Sequence, residues 1–441
     1  LTGQPFPAGA PVPVRPAGPP PELLRRRSSV LTRVTMAVLG VGALLIAVLV
    51  VVFGGPVAAV VTTLLAAVSF PLLIWVCFWL DRYEPEPGRY RLAALGWGAV
   101  VAVVISFVGE QLLFQLPGTD SFVDTAVIAP LVEEAGKGLF LLAVVLLRRQ
   151  QVHGVLDGLV YAALVGIGFA FVEDVLYYLS ALVQSGGIGL TVTFILRGVI
   201  SPFAHPLFTA ATGLGVGLAV STRRPVLRWL APALGFVVAV VLHGVWNGST
   251  YYGSDGFSTA YGAIMLPALV VVLAVALWAR VREGRMLTAA LVQTTSLGWT
   301  RPEEIRWVAR LADRVSSRGY ARQHGGPPAA AAMRAFQQTL TEIAFLHLRA
   351  LAGTAPPDVN QRMLGLLQHA QALRPWVILP PTAGRPPLRW PPTALPPGTL
   401  PPPAPGGPTA GPPPGSPAAP PPAAPPSAYG PPPPGGWPGV R

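Results

Sequence analysis

The stretch VTMAVLGVGALLIAVLVVVFGGPVAAVVTTLLAAVSFPLLIWVCFWL, Val34–Leu80, contains no charged side chain. Two apolar runs, Val34–Phe53 and Val57–Leu80, flank Gly54-Gly55-Pro56. Each is long enough to cross about 30 Å of hydrocarbon, which takes roughly 20 helical residues. Working outward, further runs lie at Leu92–Phe114, Thr125–Leu147, Val155–Leu182, Thr193–Val220, Val226–Trp246 and Tyr261–Trp278. The pattern predicts an all-α polytopic membrane protein with about eight transmembrane helices.

The loops between the runs divide by charge. One set carries Arg82, Arg89 and Arg91; Arg148 and Arg149; Arg223, Arg224 and Arg228; and Arg280, Arg282 and Arg285. The alternate set, Gly54–Pro56, Gln115–Asp124, Val183–Gly189 and Asn247–Thr259, has neither Lys nor Arg. Counting eight spans makes the two sets alternate without exception, and the positive-inside rule then places both termini in the cytoplasm.

Composition agrees. The 441-residue chain is 52% hydrophobic and 11% charged, far below the roughly 25% charge of soluble domains. A formal net charge of +12 raises nucleic acid as a partner. The arginines, however, sit at the edges of apolar runs and do not alternate with aromatic residues, so they read as topology markers and nucleic acid is not expected. Cys77 is the single cysteine; it offers neither an internal disulfide nor a Cys-based metal site and reads as a small buried hydrophobe.

Four regions follow. Residues 1–33 are a disordered, Pro-rich cytoplasmic lead without the apolar core of a signal peptide. Residues 34–280 form the membrane domain. Residues 281–374 read as a cytoplasmic helical region, with a helix start at Pro302-Glu303-Glu304. Residues 375–441, dominated by Pro, Gly and Ala, are a disordered tail that cannot bury a core. Its polyproline character suits a spacer or a ligand for a cytoplasmic Pro-binding partner.

Charged side chains in mid-membrane cost several kcal/mol unless paired or hydrated. The fourth run carries Glu133, Glu134 and Lys137, the last being the only lysine in the chain. Glu133 and Lys137 are four residues apart and share a helix face, whereas Glu134 is turned about 100° away. Lys137 is therefore expected to neutralise Glu133 and leave Glu134 for a substrate or a water. The fifth run holds Glu173 and Asp174. The sixth holds Arg197 and His205, and the seventh ends on His243 and Asn247, again four apart. Glu133 lies about 12 Å in from the outer end of its span, Glu173 at a similar depth, and His243 nearer the outer end. A water-filled cavity opening to the outer half of the membrane is the expected geometry.

Carboxylates and histidines around one water suit hydrolysis, with a Glu as base and a His at the oxyanion. Alternatively Glu173, His205 and His243 hold zinc while Glu133 or Glu134 is the base. No His-Glu-x-x-His motif is present. A transporter or proton-coupled permease uses similar groups, but no internal repeat is evident. A non-catalytic membrane scaffold acting through the Pro-rich tail is the third reading.

Glu133-Glu134-x-x-Lys137, Phe169-x-x-x-Glu173, the helix containing His205, and His243 with Asn247 resemble the PrsW family of intramembrane proteases. Asp81-Arg-Tyr-Glu-Pro-Glu-Pro87 and Asp157-Gly158 match its pattern too, so the resemblance covers roughly residues 70–280. That family is distantly related to the membrane proteases that trim prenylated proteins. The resemblance implies an intramembrane endopeptidase that cuts a membrane-anchored protein, with first-site cleavage of an anti-sigma factor as the best-known role. It implies a multi-pass protein of the cell membrane, the inner membrane of a bacterium. Carried over by position, Glu133, Glu134, Glu173, His205 and His243 are catalytic; Lys137, Asn247 and Arg197, polar groups in the same runs, are expected to support them. The resemblance leaves open a zinc enzyme and a metal-free, glutamate-type one, and it implies nothing for the region after residue 280.

Overall fold

A computed structural model describes residues 30–115, 120–148 and 152–381. The Pro-rich lead and almost all of the tail expected from the sequence lie outside the described residues. Every regular element among the described residues is helical. The N-terminal apolar stretch forms α1 (Val30–Ala66) and α2 (Phe70–Leu80). Next come α3 (Gly88–Gly96) and α4 (Val103–Leu113), joined through a π-helical turn, Trp97–Ala102. They are followed by α5 (Ala129–Arg148), α6 (Val155–Phe194), α7 (Ala204–Ser221), α8 (Pro225–Ser249), α9 (Gly253–Ala260) and α10 (Leu266–Ser296). Last are α11 (Pro302–Ala309), α12 (Leu311–Leu351) and α13 (Val359–Leu373).

Among the described residues, four helical stretches are long and apolar enough to cross a membrane: Thr32–Leu80, Gly88–Leu113, Val155–Ser221 and Pro225–Ser296. Three of them take up two of the expected runs each, and each of these three is broken by a glycine at positive φ: Gly55 (76°), Gly186 (63°) and Gly253 (65°). This backbone region is open to glycine and costly for a residue with a Cβ. Both sides of the first break rest on α6: Gly54 faces Leu179, and the Phe70 ring lies 5.0 Å from that of Phe171. The run Thr125–Leu147 falls on α5 and its preceding turn, which carry the three charged residues.

α6 is the central rod. Its most apolar window is 89% buried, against 11% for the N-terminal stretch. Small residues allow this. A methyl group on Gly158 would lie 2.2 Å from the Gly213 carbonyl oxygen, and one on Gly168 would lie 2.0 Å from that of Leu95. Backbones meet here at distances that only glycine permits. Gly168→Ala is therefore expected to lower stability by about 1–3 kcal/mol, since rigid backbone must move. Gly138→Ala, whose methyl would meet nothing nearer than Thr212 Cγ2 at 3.8 Å, is expected to be neutral. Thermal unfolding of the two variants in one detergent checks the contrast.

The loop between α2 and α3 is tied down by its own acids. Glu86 N donates to Asp81 Oδ2 (3.0 Å), and Tyr161 Oη donates to Glu86 Oε2 (2.7 Å). Burial, reinforced by the neighbouring Asp157, pushes both carboxyls well above their ordinary range. α10 continues beyond the apolar stretch into a second core, where Leu287 and Leu291 meet Ile305, Val308, Phe336, Leu340, Ile343 and Leu373. α11 begins at Pro302, where Glu304 Oε2 accepts from Arg301 N (2.9 Å) in a capping arrangement.

Candidate active site

α5 presents Glu133, Glu134 and Lys137 to the interior, and all three are buried. The Lys137 ammonium donates to Glu133 Oε2 (3.0 Å), to Glu134 Oε1 (2.9 Å) and to His205 Nδ1 (3.1 Å). It also sits 3.8 Å from the centroid of the Phe169 ring. The expectation that Lys137 serves Glu133 and leaves Glu134 free is thus corrected. A long side chain reaches partners three and four residues back on one helix, and Lys137 holds both.

Glu134 is the most enclosed of the acids. Oε1 accepts from Lys137 and faces His243 Nδ1 at 3.1 Å, while Oε2 accepts from Thr209 Oγ1 at 3.1 Å. A carboxylate accepts, so His243 donates from Nδ1, and its Nε2 lies 3.8 Å from Glu133 Oε2. Phe208 stacks on the His243 ring at 4.7 Å and fixes its plane.

His205 bridges the two halves of the cluster. Its Nδ1 accepts from Lys137, so the proton lies on Nε2, which donates to Glu173 Oε2 at 2.5 Å. Glu173 is held in turn by Arg197 Nη2 (2.6 Å), whose Nε reaches Asp174 Oδ1 (2.6 Å). The Arg197 pairing spans α6 and the π-helical turn Ile195–Ile200. These hydrogen bonds form an outer layer that orients the His205 imidazole.

The five residues expected at the site therefore form one connected group. The donor atoms that converge are those of Glu133, His205 and His243, all within 4.8 Å of one another. Glu173, placed in the donor set from the sequence, is committed to Arg197 and to the far side of the His205 ring. Asn247 does not join the cluster: its Nδ2 donates to the Thr125 carbonyl (3.1 Å), pinning α8 to the turn before α5.

Three participants went unread in the sequence. Thr209 is four residues beyond His205 and shares its face, a spacing that could have disclosed it. Phe208, the ring beside His243, gives no such signal. Glu110, in an otherwise apolar run, lies within electrostatic range of Glu133 and Glu173.

Two imidazoles and a carboxylate are the donor set of a catalytic zinc site. The charges fit as well. Besides the imidazoles of His205 and His243, the carboxylates of Glu133, Glu134, Glu173 and Asp174 pair with the Lys137 ammonium and the Arg197 guanidinium, and a divalent cation would add positive charge among these four acids. Lys137 contacts two of the three donors, Glu133 Oε2 and His205 Nδ1, so a metal held there would compete with its ammonium.

The family model described as PrsW family intramembrane metalloprotease matches residues 86–278, which hold every residue of the cluster. Protease PrsW of Clostridioides difficile is 30% identical over 184 residues, covering 40% of this chain and 74% of that protein. Protease PrsW of Bacillus subtilis is 29% identical over 168 residues, covering 38% and 72%. Protease PrsW of Geobacillus kaustophilus is 28% identical over 174 residues, covering 38% and 69%. No solved structure matches the chain.

Proposed function

The chain belongs to the PrsW family of intramembrane metalloproteases, and from that premise we propose that it hydrolyses a peptide bond of a membrane-anchored protein, using Glu134 as the base. The observation that carries this reading is the convergence of Glu133, His205 and His243 beside Glu134. Glu133 Oε2, His205 Nδ1 and His243 Nε2 would hold a zinc ion. When bound, such an ion polarises the scissile carbonyl and lowers the pKa of water.

The protein's own groups do the rest. Glu134 takes the proton of the attacking water and returns it to the amide nitrogen as the bond breaks. Thr209 and His243 hold the Glu134 carboxylate in one orientation. Arg197 and Glu173 set the His205 tautomer by fixing its Nε2 proton. Lys137 offsets the negative charge of the two adjacent glutamates.

We further read about eight crossings with cytoplasmic termini. The alternation of Arg-bearing and Arg-free loops supports this, as does the place of Gly55, Gly186 and Gly253 in three of the Arg-free loops. That orientation puts the cluster in the outer half of the membrane and residues 281–374 in the cytoplasm. It suits a substrate cut near its extracytoplasmic side, such as an anti-sigma factor in a first-site cleavage.

Metal analysis of the purified chain tests the metal assignment. Chelation is expected to lower cleavage about 100-fold or more, with recovery on adding zinc. Glu133→Gln is expected to lose bound zinc outright, and Glu173→Gln to weaken it by roughly 10–100-fold. Undiminished cleavage by metal-free protein would remove the zinc and leave a glutamate-type mechanism.

A further inference from the structure

Away from the membrane cluster, a cavity of about 890 Å³ lies between the loop after α2 and the helices α12 and α13. That size belongs to small-molecule sites, which run about 300–1,000 Å³. Seven arginines line it against three glutamates. Two of those glutamates are engaged locally, Glu86 by Tyr161 and Glu84 by His153 (3.1 Å).

Arg91 pairs with Asp81 (3.7 Å) and Arg362 with Asp358 (2.6 Å), but Arg314, Arg318, Arg334 and Arg349 are not matched in this way. Arg314 is 4% exposed, and its three bonds go to neutral acceptors: the Val308 carbonyl (2.6 Å), the Tyr83 carbonyl (2.8 Å) and Thr341 Oγ1 (2.8 Å). Arg318 Nε donates to Gln337 Oε1 (2.6 Å), again a neutral group. Arg349 Nε is buried without a hydrogen-bond partner. Among the described residues, no ion pair within 4.0 Å engages Arg314, Arg318, Arg334 or Arg349. Burial, with Arg318 nearby, pushes the Arg314 guanidinium down to about 10. Burial and the neighbouring Arg334 and Arg82 lower Arg318, and burial lowers Arg349. Gathering several cations around one cleft, with Arg314 buried in its wall, costs free energy unless an anion joins them.

We propose that this cavity binds a phosphate-bearing ligand, held by Arg314, Arg318, Arg334 and Arg349 between the family core and the C-terminal helices. Guanidinium forks match phosphate oxygens in paired, charge-assisted hydrogen bonds. The wall is ready-made, because Arg314 fastens α12 to the Tyr83 carbonyl and the Asp81–Glu86 bond braces the same loop. The phosphate is either that of a soluble metabolite or that of an anionic lipid headgroup, and the two sources separate experimentally.

The full chain would be placed in phosphatidylcholine nanodiscs at physiological salt and titrated with inorganic pyrophosphate, reading binding by calorimetry. In parallel, nanodiscs of phosphatidylcholine with phosphatidylglycerol would be ejected in a native mass spectrometer to count retained lipid. The wild type is expected to bind pyrophosphate, or to retain phosphatidylglycerol selectively. Arg334→Gln with Arg349→Gln is expected to weaken whichever is seen by about tenfold or more. Arg334→Gln alone, at an exposed side chain, gives the same sign if the double variant does not fold. Pyrophosphate binding assigns a soluble ligand and selective lipid retention assigns a headgroup. Binding of neither, or equal binding by the variants, overturns the proposal.

Discussion

Glu134→Gln is expected to lower the rate of substrate cleavage by about three orders of magnitude, with little change in KM or in folding. The amide is isosteric, and its carbonyl oxygen can still accept from Lys137, which now donates to Glu134 Oε1. What it cannot do is take a proton from water. Positioned acid–base groups contribute typically 10²–10⁴-fold, so the loss belongs in that range. It belongs in kcat because the proton moves in the transition state and not on binding. Initial rates against substrate concentration, with thermal unfolding as the fold control, check it. A loss smaller than about tenfold would move the base elsewhere, with Glu133 next in line.

Lys137→Met is expected to be the most destabilising single change at the site. Its ammonium is fully buried, with hydrogen bonds to two carboxylates and an imidazole and an aromatic face beside it. Removing one partner of a buried ion pair costs about 3–5 kcal/mol, because the remaining charge is left uncompensated. Two consequences separate this from a simple packing defect. Glu133→Gln added to Lys137→Met is expected to recover part of the loss, since it removes one of the stranded charges. Zinc is expected to raise the melting temperature of Lys137→Met more than that of the wild type, because the ammonium no longer covers Glu133 Oε2 and His205 Nδ1. Unfolding in detergent with and without zinc measures both. Unchanged stability in Lys137→Met would mean that the lysine is not the charge partner of Glu133 and Glu134.

The sequence disclosed the cluster's membership better than its wiring. Glu133, Glu134, Glu173, His205 and His243 stand out because ionisable groups are rare and costly in apolar runs, and the fold joins all five. Their pairing depends on how α5, α6, α7 and α8 approach one another. That approach is set by small residues such as Gly158 and Gly213, whose contacts spacing along one chain does not reveal. So Lys137, read as the partner of Glu133, holds Glu134 as well. Glu173, read among the metal donors, lies on the outer side of His205. Asn247 shares a helix face with His243 yet bonds the Thr125 carbonyl. The basic cavity was illegible for the same reason: Tyr83 and Arg314 meet across 231 residues of sequence. The apolar runs were legible throughout, and where two of them fused into one long helix the structure marks the joint with a positive-φ glycine.

The most direct measurement is cleavage of a single-span test substrate by the purified chain, with both fragments identified by mass spectrometry for the wild type and Glu134→Gln. The wild type is expected to hydrolyse a bond in the outer half of the substrate's span, and Glu134→Gln almost none. No cleavage by the zinc-loaded wild type, or the same fragments at the same rate from both proteins, would contradict it.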